Sequence, residues 1–294
     1  MKGIVLAGGT GSRLYPLTLV ASKQLQPVFD KPMIYYPLTT LIAARIREIC
    51  LISTPEDLPR FRQLLGDGSA WGISIEYREQ PQPTGIAAAL LLAESFIAGG
   101  NVTLILGDNI FSGGDSFMRA IGEFNGGATI FAYHVQDPER YGVLEFDAAG
   151  RAIGIEEKPL KPRSNYAVPG VYIYDKQAVT LARALKPSAR GELEITDLNM
   201  EYMRRGQLRV WTLSRGFAWL DAGTSTTLHE ASAYVQTIEK RQGIKIGCPE
   251  EAAFRRGFLS LTQLAALAAS MPQCEYRAYL EALVAEAARA AHHA

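Results

Sequence analysis

The run Lys2-Gly3-Ile4-Val5-Leu6-Ala7-Gly8-Gly9-Thr10-Gly11-Ser12-Arg13 decides how the chain is read. Ile4-Val5-Leu6 is a short apolar run of the kind buried on both faces of a parallel sheet. Gly8, Gly9 and Gly11 follow at once, and Ser12 and Arg13 complete the turn. Glycine lets a ligand approach the main chain without meeting a Cβ. A strand ending in such a turn can cradle phosphate oxygens with backbone N–H groups, and the Arg13 guanidinium adds a fork of donors. Two look-alikes do not fit. No Gly-Lys-Ser or Gly-Lys-Thr is present, so the ATP-type P-loop is absent, and Leu14 stands where the dinucleotide fingerprint needs its third glycine. A plain structural turn stays open for the glycines taken alone.

Outward from this run, apolar segments alternate with helical patterns. Strands are expected at Gly3–Leu6, Ile49–Ser53, Ile73–Tyr77, Val102–Leu106 and Thr129–His134. Helices are expected at Met33–Ala44, Pro55–Leu65, Ile86–Phe96 and Ser116–Phe124. That alternation predicts an α/β fold, a Rossmann-like and mostly parallel sheet with crossover helices. Ligands in such sheets bind beyond the carboxyl ends of the strands, which is where both the Gly-rich turn and Gly107-Asp108 should lie. From about residue 140 the pattern changes. Short strands at Val143–Phe146, Ile153–Glu157 and Val171–Tyr174 predict an added mixed sheet, with helices at Lys176–Leu185 and Ile195–Arg204 and a strand at Leu208–Leu213. The last segment reads as helix. Thr224 to Arg241 has a threonine start and Gly243 just past its basic end, and three further helical patterns end in an alanine-rich run with Leu280, Leu283 and Val284 at helical spacing.

Composition sets the outer bounds. Hydrophobic residues make up 48% of 294, enough for a sizeable core, and thirty basic side chains balance thirty acidic ones. That balance argues against nucleic acid and acidic membranes as partners. No apolar run is long enough to span a bilayer, and no secretory leader is expected. Cys50, Cys248 and Cys274 are unclustered, and the tail pair His292-His293 reads as solvated ends, so a cytoplasmic protein without a zinc site is expected.

Longer motifs carry a resemblance. Leu6 to Thr18, Ser22 to Val28 and Lys31 to Pro37 are followed, in order, by Leu106-Gly107-Asp108-Asn109, Asp137 to Val143, Glu156-Glu157-Lys158-Pro159, Gly191 to Asp197 and Trp219 to Thr224. Together they resemble the sugar-1-phosphate nucleotidyltransferases, nearest to members that transfer a thymidylyl group. The resemblance implies a Mg²⁺-dependent enzyme that joins dTTP and α-D-glucose 1-phosphate and releases pyrophosphate. It implies a core over 1–224, with a nucleotide part to about 139 and a sugar part after it, and a helical oligomer or regulatory segment over 225–294.

The residues it singles out suit that chemistry. The nucleophile is already an anion, so the work is positioning and charge stabilisation by cations. Arg13 and Lys23 would clamp the triphosphate, with Gly8, Gly9, Thr10, Gly11, Ser12 and Gln24 around it. Asp108 and Asp221 would hold the metal; taken locally, Asp108 reads equally as a turn or capping residue and Asp221 as a turn residue. Gln80 and Gly85 would read the base, an amide being able both to donate and to accept, although their Pro- and Gly-rich surroundings read locally as a loop. Lys158 would meet the sugar phosphate and Glu157 the sugar hydroxyls, with Tyr141, Gly142, Val168 and Tyr172 beside them.

The resemblance also implies a homotetramer with a feedback site at Arg215, Glu251 and Arg255 for dTDP-rhamnose or another dTDP-sugar. Departures from the pattern spare Arg13, Lys23, Asp108, Lys158 and Asp221: Ser12 for threonine, Thr84 for aspartate, Ala88 for glutamine, Pro169 for threonine, and, in the feedback site, Gly113-Gly114-Asp115 for a Tyr-Gly-His type of sequence. Another nucleotide such as UTP, another sugar phosphate, a dinucleotide oxidoreductase and a non-catalytic sugar-nucleotide sensor are the competing readings.

Overall fold

The structure is a computed structural model and describes residues 1–9 and 11–292. Thr10, an expected nucleotide contact, and His293 of the tail pair lie outside the described residues. The strands are β1 (Lys2–Leu6), β2 (Pro27–Val28), β3 (Lys31–Pro32), β4 (Glu48–Ser53), β5 (Ser74–Glu79), β6 (Val102–Leu106), β7 (Asn109–Ser112), β8 (Ala128–His134), β9 (Gly142–Phe146), β10 (Ala152–Glu157), β11 (Tyr166–Ala167), β12 (Val171–Tyr174), β13 (Leu208–Thr212) and β14 (Ala218–Asp221). The helices are α1 (Tyr35–Ala43), α2 (Leu58–Leu65), α3 (Ala88–Leu92), α4 (Glu94–Ile97), α5 (Ser116–Gly122), α6 (Ala178–Ala184), α7 (Ile195–Arg204), α8 (Ser225–Gln242), α9 (Pro249–Arg255), α10 (Leu261–Ser270) and α11 (Glu275–His292).

One large sheet runs in the order β10-β9-β11-β8-β12-β6-β1-β4-β5, with β13 added to β8. Its β6-β1-β4-β5 portion is parallel, as the alternation of strands and helices predicts. Ile4 and Val5 are fully buried at its centre because both faces are covered. β12 then pairs antiparallel with β6 and β8 and turns the sheet mixed. The expected helix over Ile86–Phe96 is instead two short helices, broken at Ala93, whose ψ of 9° leaves the helical range. α2 starts three residues later than expected, with a proline in its first turn where the missing N–H costs nothing.

Two antiparallel pairs escaped the local patterns. β2 and β3 form a small ribbon, and β7 pairs with β14 so that Asn109 faces Asp221. Asp221 therefore ends a strand and is not a turn residue. α8 begins as expected, with Thr224 and Thr227 in a reciprocal capping box and Gly243 left-handed at its end.

The C-terminal helices are fastened to the α/β part by buried polar contacts. Trp71 Nε1 and Tyr276 OH both donate to Glu250, at 3.1 and 2.6 Å. Leu280 and Leu283 pack inward with Cys248, Leu264 and Ala268, so that face is core of the helical segment. Cys50 is buried in β4 as expected, and Cys274 is exposed. No described helix is long and apolar enough to cross a membrane.

Candidate active site

β1 and β6 are neighbours and end side by side, so the turn after each opens on the same edge of the sheet. The Gly107 N–H donates to the Leu6 carbonyl at 2.9 Å, which ties the Asp108 corner to the Gly-rich turn. A cavity of about 300 Å³ lies beyond this edge and reaches across to β9, β10, β12 and α7. It gathers Gly8, Gly9, Arg13, Lys23, Gln24, Gln80, Gly85, Asp108, Tyr141, Gly142, Glu157, Lys158, Val168, Tyr172 and Asp221 into one lining. Gly11 and Ser12 belong to the same turn but stand outside the lining.

The end of the cavity beside the Gly-rich turn is built from close backbone approach. A Cβ on Gly8 would stand 2.7 Å from Gln80 Oε1, so only glycine lets that amide lie across the turn. Gly85 has φ +100° and would drive a Cβ to 2.4 Å from the Leu193 carbonyl oxygen. Leu193 in turn donates to Thr84 O at 2.8 Å and accepts from Ala87 N at 3.1 Å. The loop around Gly85 is thus clipped to the segment that leads into α7. Gln24 is buried with Nε2 toward Gly8 O, and its Oε1 has no protein partner.

The charged centre follows from the β7–β14 pairing. Asp108 accepts from Lys23 Nζ on one oxygen and from Asn109 Nδ2 at 3.0 Å on the other. Burial pushes the Asp108 carboxyl up, but Lys23 and Asn109 outweigh burial and hold it below the usual carboxylate range. Asp221 is pushed up to about 6 by burial and by the nearby Asp108 charge, against the pull of Lys23, Arg13 and Arg140. Among the described residues no group of three or more His, Cys, Asp or Glu could hold a metal ion. Two adjacent carboxylates, one of them under-neutralised, fit a hard divalent cation that takes its other ligands from water and substrate phosphates.

At the β9–β10 end, Glu157 Oε2 accepts from Thr196 Oγ1 at 2.7 Å, and Lys158 Nζ stands 3.7 Å from Glu157 Oε1. Lys158 has φ +47°, a left-handed conformation for a residue with a Cβ. Such strain gathers at functional sites; here the Lys158 N–H bonds Tyr141 O at 2.9 Å. Burial, Glu157 and Asp108 all push the buried Tyr172 hydroxyl up.

Local sequence reasoning missed several lining residues. Asn109 Oδ1 accepts from Gly170 N at 3.0 Å and Trp219 Nε1 at 2.6 Å, joining β7, β12 and β14. Arg140 reaches Asp137 at 2.6 Å and Asp221 at 3.8 Å. Thr196, Asn199 and Trp219 also line the wall. All five sit inside the quoted motifs or two residues from one, which is the signal that could have found them.

The three expected regulatory residues lie apart from this cavity. Arg255 bonds Glu251 at 2.7 Å, and Tyr279 OH donates to Glu251 at 2.6 Å. A second cavity of about 140 Å³ is lined in part by Gly113, Gly114 and Asp115, but not by Arg215, Glu251 or Arg255.

A sequence model of the nucleotidyl transferase family matches residues 2–238. The glucose-1-phosphate thymidylyltransferase of Neisseria meningitidis serogroup A is 55% identical over 283 residues, 95% of this chain and 98% of that protein. Its namesake from an Actinoplanes species is 55% identical over 97% of this chain and 95% of its own. A solved structure described as a candidate glucose-1-phosphate thymidylyltransferase from Bacillus anthracis, with sucrose, superposes with TM-score 0.77 at 42% identity, covering 85% of this chain and 99% of its own. UDP-glucose pyrophosphorylase with UDP-glucose shares the fold at TM-score 0.69 and 23% identity, covering 80% and 98% of the two chains. The family model and these likenesses each cover most of the chain, and the chain belongs to the nucleotidyl transferase family.

Proposed function

We propose that the chain makes dTDP-glucose from dTTP and α-D-glucose 1-phosphate. An oxygen of the sugar phosphate attacks the α-phosphorus, a new P–O bond forms, and pyrophosphate leaves with the electrons of the broken bond. The observation that carries this reading is the convergence of Asp108 and Asp221 with Arg13, Lys23 and Lys158 on one cavity at the ends of β1 and β6. Arg13 and Lys23 bind the triphosphate beside the turn of Gly8, Gly9, Thr10, Gly11 and Ser12. Gln80 and Gly85 read the base. Lys158 meets the sugar phosphate, and Glu157, Gly142, Val168, Tyr141 and Tyr172 surround the sugar.

Asp108 and Asp221 are the residues that would hold Mg²⁺, which when bound neutralises charge on the phosphates. Around that ion the chain's own groups orient the two anions, exclude water and stabilise charge on the leaving pyrophosphate. Residues 1–224 form the catalytic core in this reading, and 225–294 serve assembly as a homotetramer and feedback control by a dTDP-sugar through Arg215, Glu251 and Arg255. Small-molecule substrates of this kind suit a cytoplasmic enzyme.

Pyrophosphate release with Mg²⁺ and glucose 1-phosphate, comparing dTTP with UTP, CTP, ATP and GTP, tests the reading. Strong release with dTTP that disappears in Asp108→Asn supports it. Release with UTP but little with dTTP moves the error to the Gln80–Ala88 loop. No release with any triphosphate, from folded protein that still binds nucleotide, overturns it.

A further inference from the structure

We propose that Asn199 reads the sugar, donating its side-chain amide to a ring hydroxyl remote from the anomeric phosphate. The proposal rests on the sugar-phosphate reading of the cavity. Asn199 lies one helical turn past Ile195 and Thr196 on α7, and all three line the cavity. It is only 1% exposed.

Its orientation is fixed by its neighbours. The Tyr174 hydroxyl donates to Asn199 Oδ1 at 2.6 Å. Tyr174 cannot swing away, because it is fully buried and stacked between Tyr172, with centroids 6.2 Å apart, and Tyr202, 5.6 Å away. The Tyr202 hydroxyl is itself held by Asp175 at 2.8 Å. With the amide oxygen committed to Tyr174, the NH₂ group is the end left for the cavity, and it finds no acceptor among the described residues. A donor on a cavity wall that the protein leaves free can be met by a ligand hydroxyl or by water.

The place of this donor selects the part of the sugar it would meet. Gly170 bonds Leu106, next to the Asp108 corner, and Tyr172 and Tyr174 pair with Leu104 and Val102, progressively farther from that corner. Asn199 is bonded to the last residue of this row, the one paired farthest from the Asp108 corner. Glu157 supplies an acceptor nearer the phosphate, and Asn199 supplies a donor beyond it. A hexose with hydroxyls at carbons 3, 4 and 6 offers acceptors on that side.

The test pairs variants with deoxy sugars. Asn199→Ala and the native enzyme are assayed with glucose 1-phosphate and its 2-, 3-, 4- and 6-deoxy analogues. The expected result is a rise of about tenfold in KM for glucose 1-phosphate, an unchanged KM for dTTP, and loss of that penalty with one of the 3-, 4- or 6-deoxy sugars. Tyr174→Phe keeps Asn199, removes the hydroxyl that orients it, and should give a smaller penalty with the same analogue pattern. It carries the test alone if Asn199→Ala does not fold. An equal penalty for every analogue, a parallel rise in both KM values, or no change would overturn the proposal. Inactivity of the native enzyme with glucose 1-phosphate would be a failure of the function reading, visible before any variant is made.

Discussion

The β6 corner and the end of β14 place one carboxylate each in the same cavity, and the fold treats the two in opposite ways. Asp108 is met on both oxygens, by Lys23 and Asn109, and its carboxyl is held low. Asp221 is partly buried beside that charge, with Arg140 no nearer than 3.8 Å, and its carboxyl is pushed up to about 6. One carboxylate is satisfied by the protein; the other keeps a charge that the protein only partly offsets. Stored repulsion of this kind is what a bound cation relieves. If both carboxylates serve the metal, Asp108→Asn and Asp221→Asn should each lower kcat by about 10²–10³-fold, measured at saturating substrates and Mg²⁺. Near-native turnover in Asp221→Asn would reduce the asymmetry to a packing feature.

The same two substitutions should part company in stability. Moving a carboxyl from its ordinary 3.8 to about 6 makes its ionisation in the fold unfavourable by about 3 kcal/mol. Asp221→Asn removes that cost, and should raise metal-free stability at pH 8 by roughly 1–3 kcal/mol in urea titrations with chelator present. Asp108→Asn leaves Lys23 without its buried partner and should lower stability by a similar amount. The pH dependence carries the sign. A raised carboxyl is more protonated folded than unfolded, so its contribution is most favourable at low pH and declines as pH rises from about 4 to about 6, then levels off. Asp221→Asn should flatten that decline. The same decline in the variant would mean that another group titrates there.

The contrast also explains what the sequence could reveal. Asp108 ends an apolar run and follows a glycine, so its place at a strand edge is legible from a few neighbouring residues. Asp221 gains its meaning from a strand partner at Asn109, and no local spacing encodes that pairing; only the resemblance joined the two. The parallel part of the sheet was readable because Ile4-Val5-Leu6 and Val102–Leu106 are continuous apolar runs. β7 and β14 are four residues each and lie beside residues that read as turns. The left-handed backbone of Lys158 and the Leu193 clip on the base loop were hidden for a different reason, since both are set by tertiary contacts that side-chain type does not report.

Arg140 offers the smallest and finest test of the asymmetry. It is a third exposed, and its nearer partner is Asp137, so its hold on Asp221 acts through partly solvated space. Arg140→Met should therefore cost less than about 1 kcal/mol of metal-free stability at pH 8, where Asp221 is charged. Removing a cation from beside Asp221 also removes a competitor for Mg²⁺. The Mg²⁺ concentration for half-maximal rate should then fall, by about twofold to fivefold for a change of this size. The shift in Mg²⁺ requirement should vanish in an Asp221→Asn background, because that coupling needs the Asp221 charge, while the part of the stability change owed to Asp137 should stay. A loss of kcat near that of the aspartate variants would instead make Arg140 a direct phosphate contact, and the screening of Asp221 would then belong to Arg13 and Lys23 alone.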